Sequence, residues 1–305
     1  MNPHLKGSLL IAGSMMFYAL IGPFVRWLEL PVAILMIYVS LFVAVIYSWY
    51  FLIKKDLGMS EMRGISEHAQ KSLIFDKLKL KKMWFLVVLS ALFVVINSFT
   101  YLKAYSITTF ANTVFTHYTA PIFALIAAVF YLREKLEKIS VIAIIISTIG
   151  LLFIAYKELN FTSSHLLGIF FGVLSGFGYG VLININKKIV GNVAISTIMF
   201  YQALIPMLVL SPNIFLAEYS LNFNKIILLL VYSIFLFIIP TIMYLKGIKH
   251  VKAQHAGIIA YTEPIFVVLF GFLFFRETPS ANTLIGGLLI LFSGYLIIRK
   301  GASRR

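Results

Sequence analysis

Apolar residues occupy most of the chain in successive runs of about 18 to 25 positions, the length an α-helix rising about 1.5 Å per residue needs to cross a hydrocarbon core about 30 Å thick. Short polar connections separate the runs. The pattern predicts an all-α integral membrane protein with ten transmembrane helices at 7–26, 31–53, 84–104, 110–132, 139–156, 166–186, 192–211, 226–246, 253–275 and 282–299. The first run follows Lys6, as the apolar stretch of a secretory signal would. It has no small-residue cleavage site behind it and leads straight into further spans, so it is expected to persist as helix 1.

Composition agrees with a lipid solvent. Of 305 residues, 61% are hydrophobic and 12% charged, whereas a soluble domain carries about 25% charged residues. The net charge of +15 would point to nucleic acid in a soluble protein, so the placement of Lys and Arg decides its meaning. With the N-terminus cytoplasmic, Lys6, eight residues in 54–82, three in 133–138, Lys187, Lys188, three in 246–252 and four in 299–305 fall on the inner side. Only Arg26, Lys103, Lys157, Lys225 and Arg276 fall opposite. That asymmetry follows the positive-inside rule, places both termini in the cytoplasm, and makes a nucleic-acid partner unnecessary. The chain is expected to be a multi-pass protein of the cell membrane, with the bilayer as its surroundings. The segment 54–82 is read as lying on the inner membrane surface as an anionic-lipid anchor. The chain has no cysteine, so a disulfide framework, thiol catalyst or Cys-based metal site is excluded. No metal or cofactor is expected.

The chain repeats itself. Tyr118-Thr-Ala-Pro121-Ile-Phe recurs as Tyr261-Thr-Glu263-Pro264-Ile-Phe, Arg133-Glu134 as Arg276-Glu277, and Tyr101-Leu-Lys103 as Tyr244-Leu-Lys246, all at an offset of 143. A weaker match at offset 161 relates Gly7, Ser14 and Tyr18 to Gly168, Ser175 and Tyr179. Two units are therefore expected, 1–156 and 157–305, each with five spans. An odd number of spans inverts the second unit in the membrane, an arrangement that recurs in secondary transporters.

A mid-helix Pro followed thirteen residues later by Glu, once per half as Pro121 to Glu134 and Pro264 to Glu277, resembles the drug/metabolite transporter superfamily, specifically its EamA-type ten-helix exporters. The family's usual small residue before that Glu is replaced here, in Leu132-Arg133-Glu134-Lys135 and Phe275-Arg276-Glu277-Thr278. The resemblance implies a central cavity lined by helices 1 to 4 and 6 to 9, with helices 5 and 10 peripheral and able to form a homodimer.

Glu263 is the one carboxylate placed well inside a predicted span, where an ionisable group is costly and functional by default. Its structural alternative is to satisfy a backbone carbonyl freed by Pro264. His117, four residues before Pro121, is a candidate substrate or coupling group, against the plainer role of interhelical hydrogen bonding to Asn97, Asn112 or Tyr101. Pro121 and Pro264 are candidate helix breaks. Tyr18, Tyr101, Tyr118, Tyr179, Tyr244 and Tyr261, with Gln202 and Asn97, complete the candidate cavity lining. Lys103 and Lys246 are candidate guards of the two cavity mouths, with snorkelling to the interface as the alternative. Gly168, Gly172, Gly176 and Gly180 are read as a packing stripe, and Glu134 and Glu277 as stabilising the turns into helices 5 and 10.

No phosphate-cradling loop, zinc helix or nucleophile turn is present, so ATP would have to be hydrolysed by another chain and the motifs of a membrane protease are missing. The reading is a secondary transporter of small solutes working by alternating access, exporting amino acids or related metabolites, with proton coupling conceivable. The alternatives are an importer or exchanger of metabolites or nucleotide-like solutes, and a non-transporting scaffold or sensor.

Overall fold

The computed structural model describes residues 2–54, 73–157, 159, 161–276 and 278–302. Helices account for nearly all of them: α1 (Pro3–Tyr18), α2 (Ile21–Leu28), α3 (Val32–Lys54), α4 (Leu73–Ile107), α5 (Phe110–His117), α6 (Ala120–Phe130), α7 (Lys138–Ala155), α8 (Leu166–Ile189), α9 (Ile195–Leu210), α10 (Phe223–Val231), α11 (Ile239–Ile248), α12 (Ala253–Ala260), α13 (Thr262–Phe275) and α14 (Ala281–Ala302). Eight stretches are long and apolar enough to cross a membrane: 32–53, 81–107, 112–130, 138–155, 163–189, 223–248, 253–274 and 281–301.

The remaining two predicted spans are differently built. The run at 7–26 is divided into α1 and α2 by a turn at Ala19 and Leu20, ahead of Pro23, which has no N–H to donate back along a helix. The run at 192–211 is the 16-residue α9 with Pro206 inside it. The expected surface loop at 54–82 lies outside the described residues between 55 and 72, and from Leu73 the backbone is already helical, so α4 starts well before residue 84.

Breaks coincide with the prolines where they were expected. The fourth span stops at Tyr118 and Thr119 and resumes as α6 with Pro121 in its first turn. The ninth is interrupted at Tyr261 and resumes as α13 ahead of Pro264. The two breaks meet. Tyr261 donates its hydroxyl to the Tyr118 carbonyl at 2.9 Å, Tyr118 donates to the Ala260 carbonyl at 3.4 Å, and the rings stack with centroids 5.2 Å apart. Each hydroxyl thus reaches a carbonyl at the other helix's break, as irregular backbone at membrane depth requires.

Around this crossing the helices approach closely. A Cβ on Gly180 would lie 2.6 Å from the Phe123 Cβ and 2.7 Å from the Ala120 carbonyl oxygen, and one on Gly176 would lie 2.7 Å from the His117 carbonyl oxygen. The glycine stripe of α8 is therefore a packing surface, as expected, and it seats the α5–α6 break. The helices α7 and α14 pair through Ser147 and Ser293, whose hydroxyl oxygens are 2.5 Å apart, and through mutual close approach of Gly150 and Gly286.

Both termini lie at one end of the bundle, where the His4 ring abuts Gly301. That end is held by a charged network. Glu137 is bonded to Lys252 and to His255, the latter at 3.1 Å, and His255 Nδ1 lies 3.1 Å from His4 Nε2. Glu134 accepts from the Ala253 N–H at 3.0 Å and from Gln254 at 3.2 Å. It therefore caps the start of α12 rather than the turn into α7, a correction to the expectation; Glu277 lies outside the described residues. Arg133 and Arg276 both adopt φ of 57°, a left-handed conformation costing a side-chain-bearing residue roughly 1–2 kcal/mol. The backbone at both sites is thus suited to the glycine that the family usually places there.

Candidate functional site

The sequence places four tyrosines, a histidine and a carboxylate on different helices, and the fold brings them round one central cavity of about 180 Å³. Tyr18 enters from α1, Asn97 and Tyr101 from α4, His117 from the end of α5, Tyr179 from α8, Gln202 from α9, Tyr244 from α11 and Glu263 from the first turn of α13. Glu263 sits where unpaired backbone N–H groups favour negative charge. Its side chain is half-buried and lines the central cavity.

The polar groups form chains rather than isolated contacts. Ser175 donates to the carbonyl and side-chain oxygens of Asn97 at 3.0 and 3.1 Å, and His117 Nδ1 lies 2.8 Å from the same hydroxyl. Since the hydroxyl has one proton and directs it at Asn97, His117 supplies the proton at Nδ1 and keeps Nε2 as an acceptor. The histidine does bind between helices, but through Ser175 in place of the expected Asn97, Asn112 or Tyr101. Its ring also stacks on Tyr179 at 5.5 Å and meets Tyr101 edge-on at 4.8 Å. Gln202 donates to Ser90 at 3.1 Å and to Asn186 at 2.9 Å. Tyr18 and Thr241 pair at 3.0 Å.

Two expectations need correction. Tyr261 is fully buried at the helix crossing, bonded to Thr148 and the Tyr118 carbonyl, and lines no cavity. Lys246 faces a separate groove with Tyr47, Tyr50 and the turn at 190–194, so it guards no mouth of the central cavity. Asn186, which the sequence analysis does not name, also lines the cavity.

Tyr118 and Pro264 belong to a second cavity of about 480 Å³, which shares Glu263 and Tyr101 with the first. It runs from that shared wall to the end of α7 at Tyr156 and Lys157 and the turn at Thr278–Ser280. Pro121 lines neither cavity and lies against Gly257, whose Cβ would be 3.2 Å from the Pro121 Cα.

Sequence reasoning missed the wall between α10 and α11. Tyr232–Ile238 is a π-helical turn that presents Tyr232, Leu236 and Phe237 to the central cavity. The signal was Pro240, which cannot donate to the Leu236 carbonyl, so the ladder widens by one residue just before it.

The cavity has one carboxylate, a neutral polar rim and the faces of several tyrosines. Such a set attracts a positive charge, through Coulombic attraction and through ring quadrupoles. Among the described residues no cluster of side chains is arranged to hold a metal ion.

The comparisons agree in kind. The EamA-like transporter family matches residues 5–156 and 166–299. An uncharacterized transporter of Archaeoglobus fulgidus is 31% identical over 203 residues, covering 65% of this chain and 70% of that protein. An S-adenosylmethionine uptake transporter of Rickettsia conorii is 27% identical over 187 residues, 59% of this chain and 60% of that one. The match thus spans less than two thirds of the rickettsial protein. A solved crystal structure superposes with a TM-score of 0.76 at 14% identity, covering 97% of each chain, which speaks for the fold. The protein is a multi-pass membrane permease and not an enzyme, and the chain belongs to the EamA-like transporter family.

Proposed function

We propose that the protein is a secondary transporter in which two inverted five-helix repeats, ten crossings in all, alternate access to the central cavity, with both termini in the cytoplasm. The family's match to 5–156 and again to 166–299 supports the repeat. The gathering of Lys252, Lys187 and the termini at one end supports the orientation.

The substrate is an amino-acid-sized metabolite carrying a cationic group, with Glu263 as its counter-charge and Tyr18, Tyr101, Tyr179 and Tyr244 as the aromatic surround. The observation that carries this reading is the single carboxylate in a tyrosine-lined cavity of about 180 Å³. That volume is below the roughly 300–1,000 Å³ of pockets for drug-sized ligands, which favours a small solute. Glu263 is also the group through which proton movement would be coupled to transport.

Export of amino acids is one direction consistent with this chemistry. Import or exchange is favoured by a specific observation: the rickettsial relatives are named for uptake of S-adenosylmethionine, an amino acid bearing a sulfonium cation. A nucleoside-bearing solute of that size requires the cavity to widen.

The test is reconstitution in liposomes with labelled lysine, neutral amino acids and S-adenosylmethionine, followed in both directions with and without a pH gradient. Glu263→Gln is expected to abolish movement of the cationic solutes. Transport of a cationic solute that is unaffected by this change sinks the assigned role of Glu263, and movement of neutral solutes alone sinks the substrate class.

A further inference from the structure

Among the described residues, Glu263 and Tyr101 alone line both the central cavity and the side vestibule. The vestibule reaches from this shared wall to the end of the bundle opposite the termini, where Lys157, Ser280 and Thr283 form its mouth. Its volume of about 480 Å³ accommodates several waters at the roughly 30 Å³ each occupies in the liquid. At the inner end Tyr118 lines the vestibule beside Glu263. The central cavity reaches the same carboxyl from the other side, past Tyr18, Tyr179 and His117.

From this geometry we infer that the vestibule is a proton and water path to Glu263, separate from the solute's path through the central cavity. The consequence is mechanistic. A carboxylate covered by a bound solute on its central side still exchanges its proton with the far side of the membrane through the vestibule. The groups facing Glu263 along both routes are Tyr18, Tyr101, Tyr118, Tyr179 and His117. Among the described residues the one cation lining the vestibule is Lys157 at its mouth. The proton moves as a simple exchange: a water in the vestibule takes it from the protonated carboxyl and returns one from the aqueous face.

The inference rests on the proposed role of Glu263 but not on the identity of the solute, and its test requires no substrate. The carboxylic C=O stretch of protonated Glu263 in reconstituted protein, assigned by its loss in Glu263→Gln, is followed by infrared spectroscopy after transfer to D₂O in mildly acidic buffer. Val267→Trp fills the vestibule midway and Thr283→Trp fills its mouth, while Ser98→Phe fills the central cavity. Deuteration is expected to slow by about tenfold or more in both vestibule variants, equivalent to about 1.4 kcal/mol or more on the barrier, and to keep its rate in Ser98→Phe. Unchanged exchange in both vestibule variants, or slowing in Ser98→Phe alone, overturns the inference. Since either tryptophan alone could disturb packing, the second position and a monodisperse elution profile serve as the control for folding. A failure of solute transport with slowed exchange intact would sink the substrate reading and leave the path standing.

Discussion

Two junctions at opposite ends of the bundle solve one packing problem with different chemistry. At the end that gathers the termini, the start of α1 meets the start of α12, and Glu137, Lys252, His255 and His4 join them. At the other end, just before α8 begins, His165 Nδ1 lies 3.1 Å from the Thr108 hydroxyl oxygen, which accepts from Asn112 at 2.9 Å. The offsets of the internal repeat place these in register: His4 corresponds to His165, and His255 to Asn112. Glycine makes the close approach in both, Gly7 against Gly247 and Gly168 against Thr108. The backbone arrangement therefore does not demand charge. Charge appears at the end where Lys and Arg are concentrated, and there the carboxylate of Glu137 both pairs with a cation and orients the buried imidazole.

The largest expected effect comes from removing that carboxylate. Glu137 is nearly buried, with 4% of its side chain exposed, while Lys252 is 34% exposed. Glu137→Ala leaves His255 without its acceptor but lets Lys252 regain water, so the cost is about 2 kcal/mol, below that of breaking a fully buried pair. Thermal unfolding in detergent checks it; an unchanged midpoint would make the network incidental to stability.

Acid should produce a graded version of the same loss. Burial pushes the Glu137 carboxyl up, but its hydrogen bonds to Lys252 and His255 and their charge outweigh this, and it is held below the usual value. A depressed carboxylate contributes stability at pH above its unfolded value, and that contribution disappears as pH falls through the folded one. Burial also lowers the His4 imidazole, against the raising influence of Glu137. Folding therefore disfavours protonated His4, and stability begins to fall once pH drops below the ordinary histidine value of about 6.5. Wild type should lose unfolding temperature from there downward, and Glu137→Ala, without the carboxylate that favours protonated His4, should fall more steeply at first but lack the further loss that comes as the carboxylate itself protonates. Parallel slopes would assign the acid sensitivity elsewhere.

Much of this organisation was legible in the chain, for identifiable reasons. Spans, proline breaks and the α8 glycine stripe are written in periodicity and in residues with special backbone properties, whereas the cavity along helices 1 to 4 and 6 to 9 was expected from the family resemblance. Tyr18, Tyr101, Tyr179 and Tyr244, which the repeat pairs, reach the central cavity together with Asn97, His117, Gln202 and Glu263. Tyr261 did not, since its sequence context is that of Tyr118 and only the packing of α7 decides that one ring is enclosed and the other borders a vestibule. The π-turn was hidden because its cause lies two residues beyond it, at Pro240. The junction networks were the least legible: Glu134 and Glu137 bind residues more than a hundred positions away, and nothing local in the sequence names those partners.

The smallest expected effect isolates polarity at the uncharged junction. Thr108→Val keeps the branched Cβ that packs against Gly168 and removes only the hydroxyl serving Asn112 and His165. An interhelical hydrogen bond in a bilayer is worth on average about 0.6 kcal/mol, because the separated helices also find partners for their polar groups. Thr108→Val should therefore lower stability by about 0.6 to 1 kcal/mol, a fraction of the loss at Glu137, and should leave the acid slope of wild type in place. The same thermal unfolding series across pH tests both statements. A loss as large as that of Glu137→Ala would mean that the hydroxyl junction is the stronger of the two and that charge at the other end adds pH dependence without adding strength.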